Sequence, residues 1–217
     1  MATLLYPRDS ADKHLRAVRM HMRRCAIIKG SNDFATAIKP YYTQLSEKRN
    51  TSAIKAEEME DAYDMVMFYD AELDANIKFL YSACDRYDQE TPGALTLKKV
   101  FPQGKFTPIT NMNYEKQIGE VKHLLLRLQS LGENHPLNTF VSEINDKLNS
   151  ADNAISTYKA AVAAKKLAQS DEDIAKSALA AQYEHNYLEA RKVLGRSIAE
   201  KLFPVIRKKN TPKEVVA

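Results

Sequence analysis

The sequence predicts an all-α fold: an elongated up-and-down bundle of four to five long antiparallel helices with one long irregular connection at about 89–112. Three observations carry this expectation. Apolar residues recur at helical spacing over most of the chain. Only six glycines and eight prolines are spread over 217 residues, too few to punctuate many short strands. Where the apolar stripes stop, capping residues or glycine stand. With 44% hydrophobic and 28% charged residues the chain can build a core. The expectation is a single helical domain over 1–206, followed by a basic tail, RKKNTPKEVVA, at 207–217.

The first helix covers about 8–29. Ala11, Leu15, Val18, Met22 and Cys25 draw one apolar stripe, and Gly30 closes it as a C-cap. Ser31-Asn32-Asp33 then offers three good N-capping residues in a row. From there Ile38, Leu45, Ser52, Met59, Val66, Leu73, Leu80 and Tyr87 stand seven residues apart. Phe34, Tyr41, Lys48, Lys55, Ala62, Tyr69, Asn76 and Ala83 hold the same register. Heptads sustained this long predict one long helix with coiled-coil-like packing over 33–88. Pro40 fits only in a first turn beginning near Lys39. The seam turns polar at Lys48, Ser52 and Lys55, within EKRNTSA, which predicts a kink or a short break near 49–52.

In the second half, Ile118, Val121, Leu125 and Leu128 mark a helix over about 113–131 that ends near Gly132. After His135-Pro136, the row Leu137, Val141, Ile144, Leu148, Ala151, Ile155, Tyr158 and Val162 predicts another helix through about 168. Ser170-Asp171-Glu172-Asp173 reads as a cap cluster with acids in a first turn. It opens a last helix from about 171 to 203 or beyond that buries Tyr183, Tyr187, Ala190, Leu194, Ile198 and Leu202. Short connections at 30–32, 132–136 and 169–171 predict antiparallel neighbours.

The connection at 89–112 contains VFPQGKFTPITN (100–111). Phe101, Phe106 and Ile109 supply apolar anchors, while Lys98, Lys99 and Lys105 stay outside. This reads as a strap that caps one end of the bundle, with a recognition loop as the alternative, because loops of this length tend to be functional or disordered.

Charge is segregated by helix. The net charge is +4. Residues 8–29 hold seven basic residues and two acids, whereas residues 55–88 hold three basic residues and ten acids. Arg16, Arg19 and Arg23 form a basic stripe; Glu57, Asp61 and Asp64 form an acidic one. Such stripes are ordinarily solvated, and where helices meet they fix pairing and direction more than stability. The acidic stripe therefore faces solvent, the first helix or another protomer. The distribution argues against nucleic acid, since no helix-turn-helix, zinc or RNA-binding signature accompanies the arginines. The tail would add only weak, salt-sensitive attraction.

Catalytic and metal signals are thin. Glu120-Val121-Lys122-His123 has the Glu-x-x-His spacing of di-iron bundles, but no second copy exists and His123 points away from the apolar stripe. No Gly-rich phosphate loop occurs, and no Ser/His/Asp or Cys/His arrangement can be argued from spacing. Asp70 and Asn76 fall on or beside the seam of the long helix, where a buried polar group sets register or oligomer state and less often binds a ligand. Cys25 and Cys84 lie on apolar faces and read as reduced core residues. No run approaches a membrane span, and MATLLYPRDSADKH lacks the apolar core of a signal peptide, so a cytoplasmic protein is expected. The leading expectation is a non-enzymatic bundle without a cofactor that acts through protein–protein contacts or self-association, as a scaffold, adaptor or assembling unit. The alternatives are a metal or small-ligand bundle built on Asp70, and a weakly nucleic-acid-associated protein.

Overall fold

A computed structural model describes residues 4–203, and over these the protein is all-α, with no strand among them. The helices are α1 (Ala11–Cys25), α2 (Asn32–Glu90), α3 (Thr96–Val100), α4 (Thr107–Thr110), α5 (Tyr114–Gln129), α6 (Thr139–Leu194) and α7 (Arg196–Leu202), with a 3-10 turn at Pro136–Asn138. None is long and apolar enough to cross a membrane. The tail at 207–217 and Pro204 lie outside the described residues.

Two expected interruptions do not occur. The polar seam at 49–52 does not break α2, which is helical without a gap and carries Pro40 well inside it, past its first turn. The cap cluster at 170–173 does not start a helix; it lies within α6, so the two helices expected over 137–168 and 171–203 are one. The real end of α6 comes at Leu194, where Gly195 takes φ +78° and α7 begins. The long connection is also more ordered than expected, because α3 and α4 sit within it.

Packing divides the described residues into two units, those within 1–55 and 164–217 and those within 56–163. In the first, α2 and α6 run antiparallel, as the contacts of Phe34 with Asn186 and of Lys48 with Asp171 show. Leu15, Val18, Ile38, Leu45, Leu179 and Phe203 lie at its centre. Ser10 caps α1 by accepting from the Lys13 amide. Ser31 turns its hydroxyl back to the carbonyls of Cys25 (3.0 Å) and Ile28 (2.7 Å) and so closes the end of α1.

The second unit is a three-helix arrangement. α2 and α6 are again antiparallel, with Tyr63 against Tyr158, Glu72 against Lys147 and Tyr87 against His135. Its core is aliphatic, built on Leu73, Leu80, Leu124, Leu128, Ile144 and Leu148. α5 packs along one side of this pair: Gln117 donates to Asp74 (2.6 Å), and Glu115 pairs with Lys159 (2.9 Å). The strap climbs back along α2 to reach the start of α5. Asp88 accepts from the amides of Thr96 (2.7 Å) and Leu97 (2.9 Å), and Tyr81 donates to the Gly104 carbonyl (3.1 Å). Phe101 is buried, Phe106 is half-buried, and Tyr81 meets both rings edge-on at 5.3 Å.

Candidate functional site

Among the described residues of the second unit, no helix lies over the opposite side of the α2/α6 pair. Two cavities lie along it, each lined only by residues of these two helices. One, of about 300 Å³, is bounded by Ala62, Met65, Tyr69, Ser150, Asn153 and Thr157, with Ala154 in its floor. The other, of about 310 Å³, is bounded by Asn76, Phe79, Ala83, Arg86, Phe140 and Glu143. The Glu72–Lys147 ion pair (2.8 Å) spans the groove between them. Ala62, Ser150 and Ala154 in the first cavity and Ser82 and Ala83 in the second are small enough for a third backbone to approach closely.

The outward crest of α2 flanks this groove. Residues at 57, 60, 61, 64, 68, 71, 75 and 79 fall on that side of a 3.6-residue helix. Phe68 is 56% exposed and Phe79 66%, with Met65 beside them at 46%. Large apolar side chains clustered on one exposed face mark contact surfaces more often than scattered ones do. Glu57, Glu60, Asp61 and Asp64 continue the face toward the N-terminal end of the unit, all exposed and none with an ion-pair partner among the described residues.

The basic stripe belongs to the first unit. Arg16 and Arg23 are exposed and have no hydrogen-bond or ion-pair partner among the described residues. Arg19 donates to the Tyr42 hydroxyl through Nε (3.1 Å) and Nη2 (2.7 Å) and lies over its ring. Among the described residues no ion pair joins the arginine stripe to Glu57, Asp61 or Asp64.

In the strap, Lys98, Lys99 and Lys105 are exposed. A cavity of about 200 Å³ there is lined by Pro102, Lys105, Pro108, Ile109, Glu120 and Arg127 among others. Arg127 already commits Nε to the Val100 carbonyl at 2.9 Å, and Glu120 to His123 at 3.5 Å. Those polar groups hold the strap and the helix surface rather than converging on a ligand position.

Asn76 is buried and Asp70 half-buried. Asn76 Nδ2 donates to the Glu72 carbonyl (3.0 Å), while its Oδ1 finds no partner in the structure. Burial, and then the neighbouring Asp74, push the Asp70 carboxyl above its ordinary range. Asp74 is likewise raised by burial, against the opposing hydrogen bond from Gln117. No group of three or more histidine, cysteine, aspartate or glutamate side chains among the described residues could hold a metal ion.

One constellation escaped sequence reasoning. His14 and His21, both on α1, are fully buried in the first unit. His21 Nδ1 lies 3.2 Å from the Leu202 carbonyl, which can only accept, so that nitrogen carries the proton. Nε2 is then an acceptor facing Asn186 Nδ2 (3.5 Å) and the Cys25 sulfur (3.6 Å). Asn186 also donates to the Phe34 carbonyl (2.8 Å) and accepts from Gln182 (2.9 Å). The i, i+4 spacing of His21 and Cys25 was visible; Asn186, at a separation of 165 residues from His21, was not.

Cysteine, histidine and asparagine in contact resemble the groups of a thiol nucleophile, and the chemistry here runs the other way. Burial pulls His21 down to about 4 and pushes the Cys25 thiol up to about 11, so the thiolate–imidazolium pair is disfavoured on both sides. His21 and Cys25 expose at most 2% of their surface, which leaves a substrate no approach. The set is a pin that ties α1, α2, α6 and α7 together. Cys84 is also a buried free thiol, pushed up to about 12 by burial.

No protein-family model, curated protein or solved structure matches this chain.

Proposed function

We propose that the chain acts through protein–protein contacts, as a scaffold or assembling unit, and that the contact surface is the outward face of α2 with its groove against α6. One observation carries this reading: among the described residues of the second unit only α5 packs over the α2/α6 pair, and the other side presents Met65, Phe68 and Phe79 along two open cavities. A helix laid into such a groove would gain burial of aromatic and thioether side chains, at about 25 cal/mol per Å² of apolar area removed from water. Methionine and phenylalanine suit this role, since the thioether adapts its shape and the rings give area at little cost in side-chain entropy. The acids at 57–64 would select a basic partner. The two buried thiols fit a reducing, cytoplasmic setting.

A photo-cross-linking residue at position 79, compared with one at the exposed Lys122 of α5, tests the reading without perturbing the fold. Discrete adducts at 79 that are absent at 122 are expected. Equal yields at the two positions, or none at 79, would remove the α2 face as a contact surface.

A further inference from the structure

Two exposed rows of side chains in this molecule share one spacing. On α1 and the turn after it, Arg16, Arg19, Arg23 and Ile27 stand at intervals of three, four and four residues. On α2, Glu57, Glu60, Asp64 and Phe68 stand at the same intervals, in the same order. The three charges of each row therefore occupy one helical strip; Phe68 continues that strip on α2, and Ile27 follows in the turn that ends α1. The charges are opposite, and the apolar members are open: Ile27 is 82% exposed and Phe68 56%. Arg16, Arg23, Glu57, Glu60 and Asp64 all lack ionic partners among the described residues.

We propose that the occupant of the α2 face is a second copy of this chain, whose α1 lies parallel to α2 with Arg16 at Glu57, Arg19 at Glu60, Arg23 at Asp64 and Ile27 at Phe68. This rests on the reading of the α2 face as a contact surface and adds its partner. The match is chemical as well as geometric. Guanidinium groups pair with carboxylates through two parallel hydrogen bonds, and three such pairs in a row define direction as well as affinity. Arg19 already lies against Tyr42, so it is pre-oriented and gives up little side-chain freedom on contact. Asp12, the one acid on the outward strip of α1, is neutralised by Arg49 at 2.9 Å and does not repel the acidic row. Because each copy carries both rows, the contact is reciprocal in a closed pair and propagates as a chain of copies if it does not close. An antiparallel alternative uses Asp61 in place of Glu60, but it sets Asp12 against Phe68 and leaves Ile27 without that partner.

Charge exchange in the full chain tests both occupant and register. By light scattering at low salt the protein should be a dimer or larger, moving toward monomer as salt rises. Arg16→Glu/Arg23→Glu and Glu57→Arg/Asp64→Arg should each weaken self-association on the order of tenfold or more, and an equal mixture of the two should restore it as a mixed species. Among the described residues neither variant removes a hydrogen bond or an ion pair, so folding should persist. Mixing an Arg23→Cys chain with an Asp64→Cys chain under mild oxidation should trap a covalent pair, and Arg16→Cys with Asp64→Cys should not. A chain that stays monomeric at low salt overturns the proposal while leaving the cross-linking test at Phe79 to decide the α2 face by itself. Self-association indifferent to the charge exchange, or trapping through position 16 instead of 23, overturns it too.

Discussion

The two units bury different chemistry in the same helical frame. The first places His14, His21, Ser31 and Asn186 among its core residues and stacks Phe203 against His21, Tyr183 and Tyr187. The second is filled mainly by leucine, isoleucine and valine; unpaired buried polar atoms occur in both, His14 Nε2 and the Tyr183 hydroxyl in the first and Asn76 Oδ1 in the second. Aliphatic packing is tolerant of geometry, whereas a buried polar network works only when every donor and acceptor is placed. The His21–Asn186 network thus fixes one arrangement of α1, α2, α6 and α7 in the first unit, whereas among the described residues the second closes one side of a helix pair with α5.

The comparison breaks most visibly at Phe203. This ring is fully buried and meets His21 at a centroid distance of 4.2 Å, Tyr183 at 5.0 Å and Tyr187 at 5.2 Å. Phe203→Ala should cost about 3–5 kcal/mol, the usual loss for truncating a buried aromatic. Read by amide hydrogen exchange, the loss should fall on α1, α7 and residues 175–190, with α5 still protected. Equal loosening of α5 would mean that the two units unfold as one cooperative body and that the division by packing has no energetic counterpart.

Acid should separate the units next. His21 takes up a second proton, to become imidazolium, only below about pH 4 in the folded protein, against about 6.5 for an ordinary histidine. Between those values the unfolded chain takes up a proton that the folded one refuses, so stability falls as pH falls. At about 1.4 kcal/mol per pH unit the loss approaches ~3 kcal/mol near pH 4, and above pH 6.5 it is absent. Burial lowers His14 as well, which adds in the same direction. Asp70 and Asp74 act with the opposite sign, because raised carboxyls hold protons better in the folded state and favour it as pH drops. Exchange protection measured from pH 7 to 4 should therefore decline first in the first unit. A parallel decline in both, or none, would contradict the burial of His21 as the cause.

How much of this was legible in the sequence follows from what each signal reports. The all-α class and the starts of α1, α2 and α5 lie in apolar periodicity and capping, which are local. The two false interruptions show where local signals fail. EKRNTSA and Ser170–Asp173 each look like a break alone, yet Lys48 Nζ meets Asp171 Oδ2 at 2.7 Å, so each polar segment supplies the other's partner and helix continues through both. Gly195, a single residue with positive φ, ended α6 without any change in the apolar row around it. The buried histidines were hidden for a related reason. A polar side chain on an apolar flank is solvated unless something distant satisfies it, and Leu202 lies 181 residues from His21. Of the candidate contact residues, the charges of the two stripes could be read directly, whereas the bare groove could not, because it depends on which side α5 covers.

The smallest effect gives the sharpest comparison, between two buried asparagines on the same pair of helices. Asn186 donates to Phe34 and faces His21, and its oxygen accepts from Gln182. Asn76 donates to its own helix at the Glu72 carbonyl and leaves Oδ1 without a partner. Leucine is close to asparagine in shape and carries no polar atom, so it reports what each amide contributes. Asn186→Leu leaves the His21 acceptor and the Gln182 amide without their partner and should cost about 1–3 kcal/mol. Asn76→Leu strands nothing, relieves an unpaired oxygen and should stabilise by about 1 kcal/mol in denaturant unfolding. If Asn76→Leu instead destabilises, the amide has a partner that a single chain does not supply. Its place in the wall of the groove beside Phe79 would make the α2/α6 face the first place to seek it. If Asn76→Leu stabilises the fold and leaves self-association unchanged, Asn76 carries no part of the contact, and the charged rows with Phe68 must determine pairing without it.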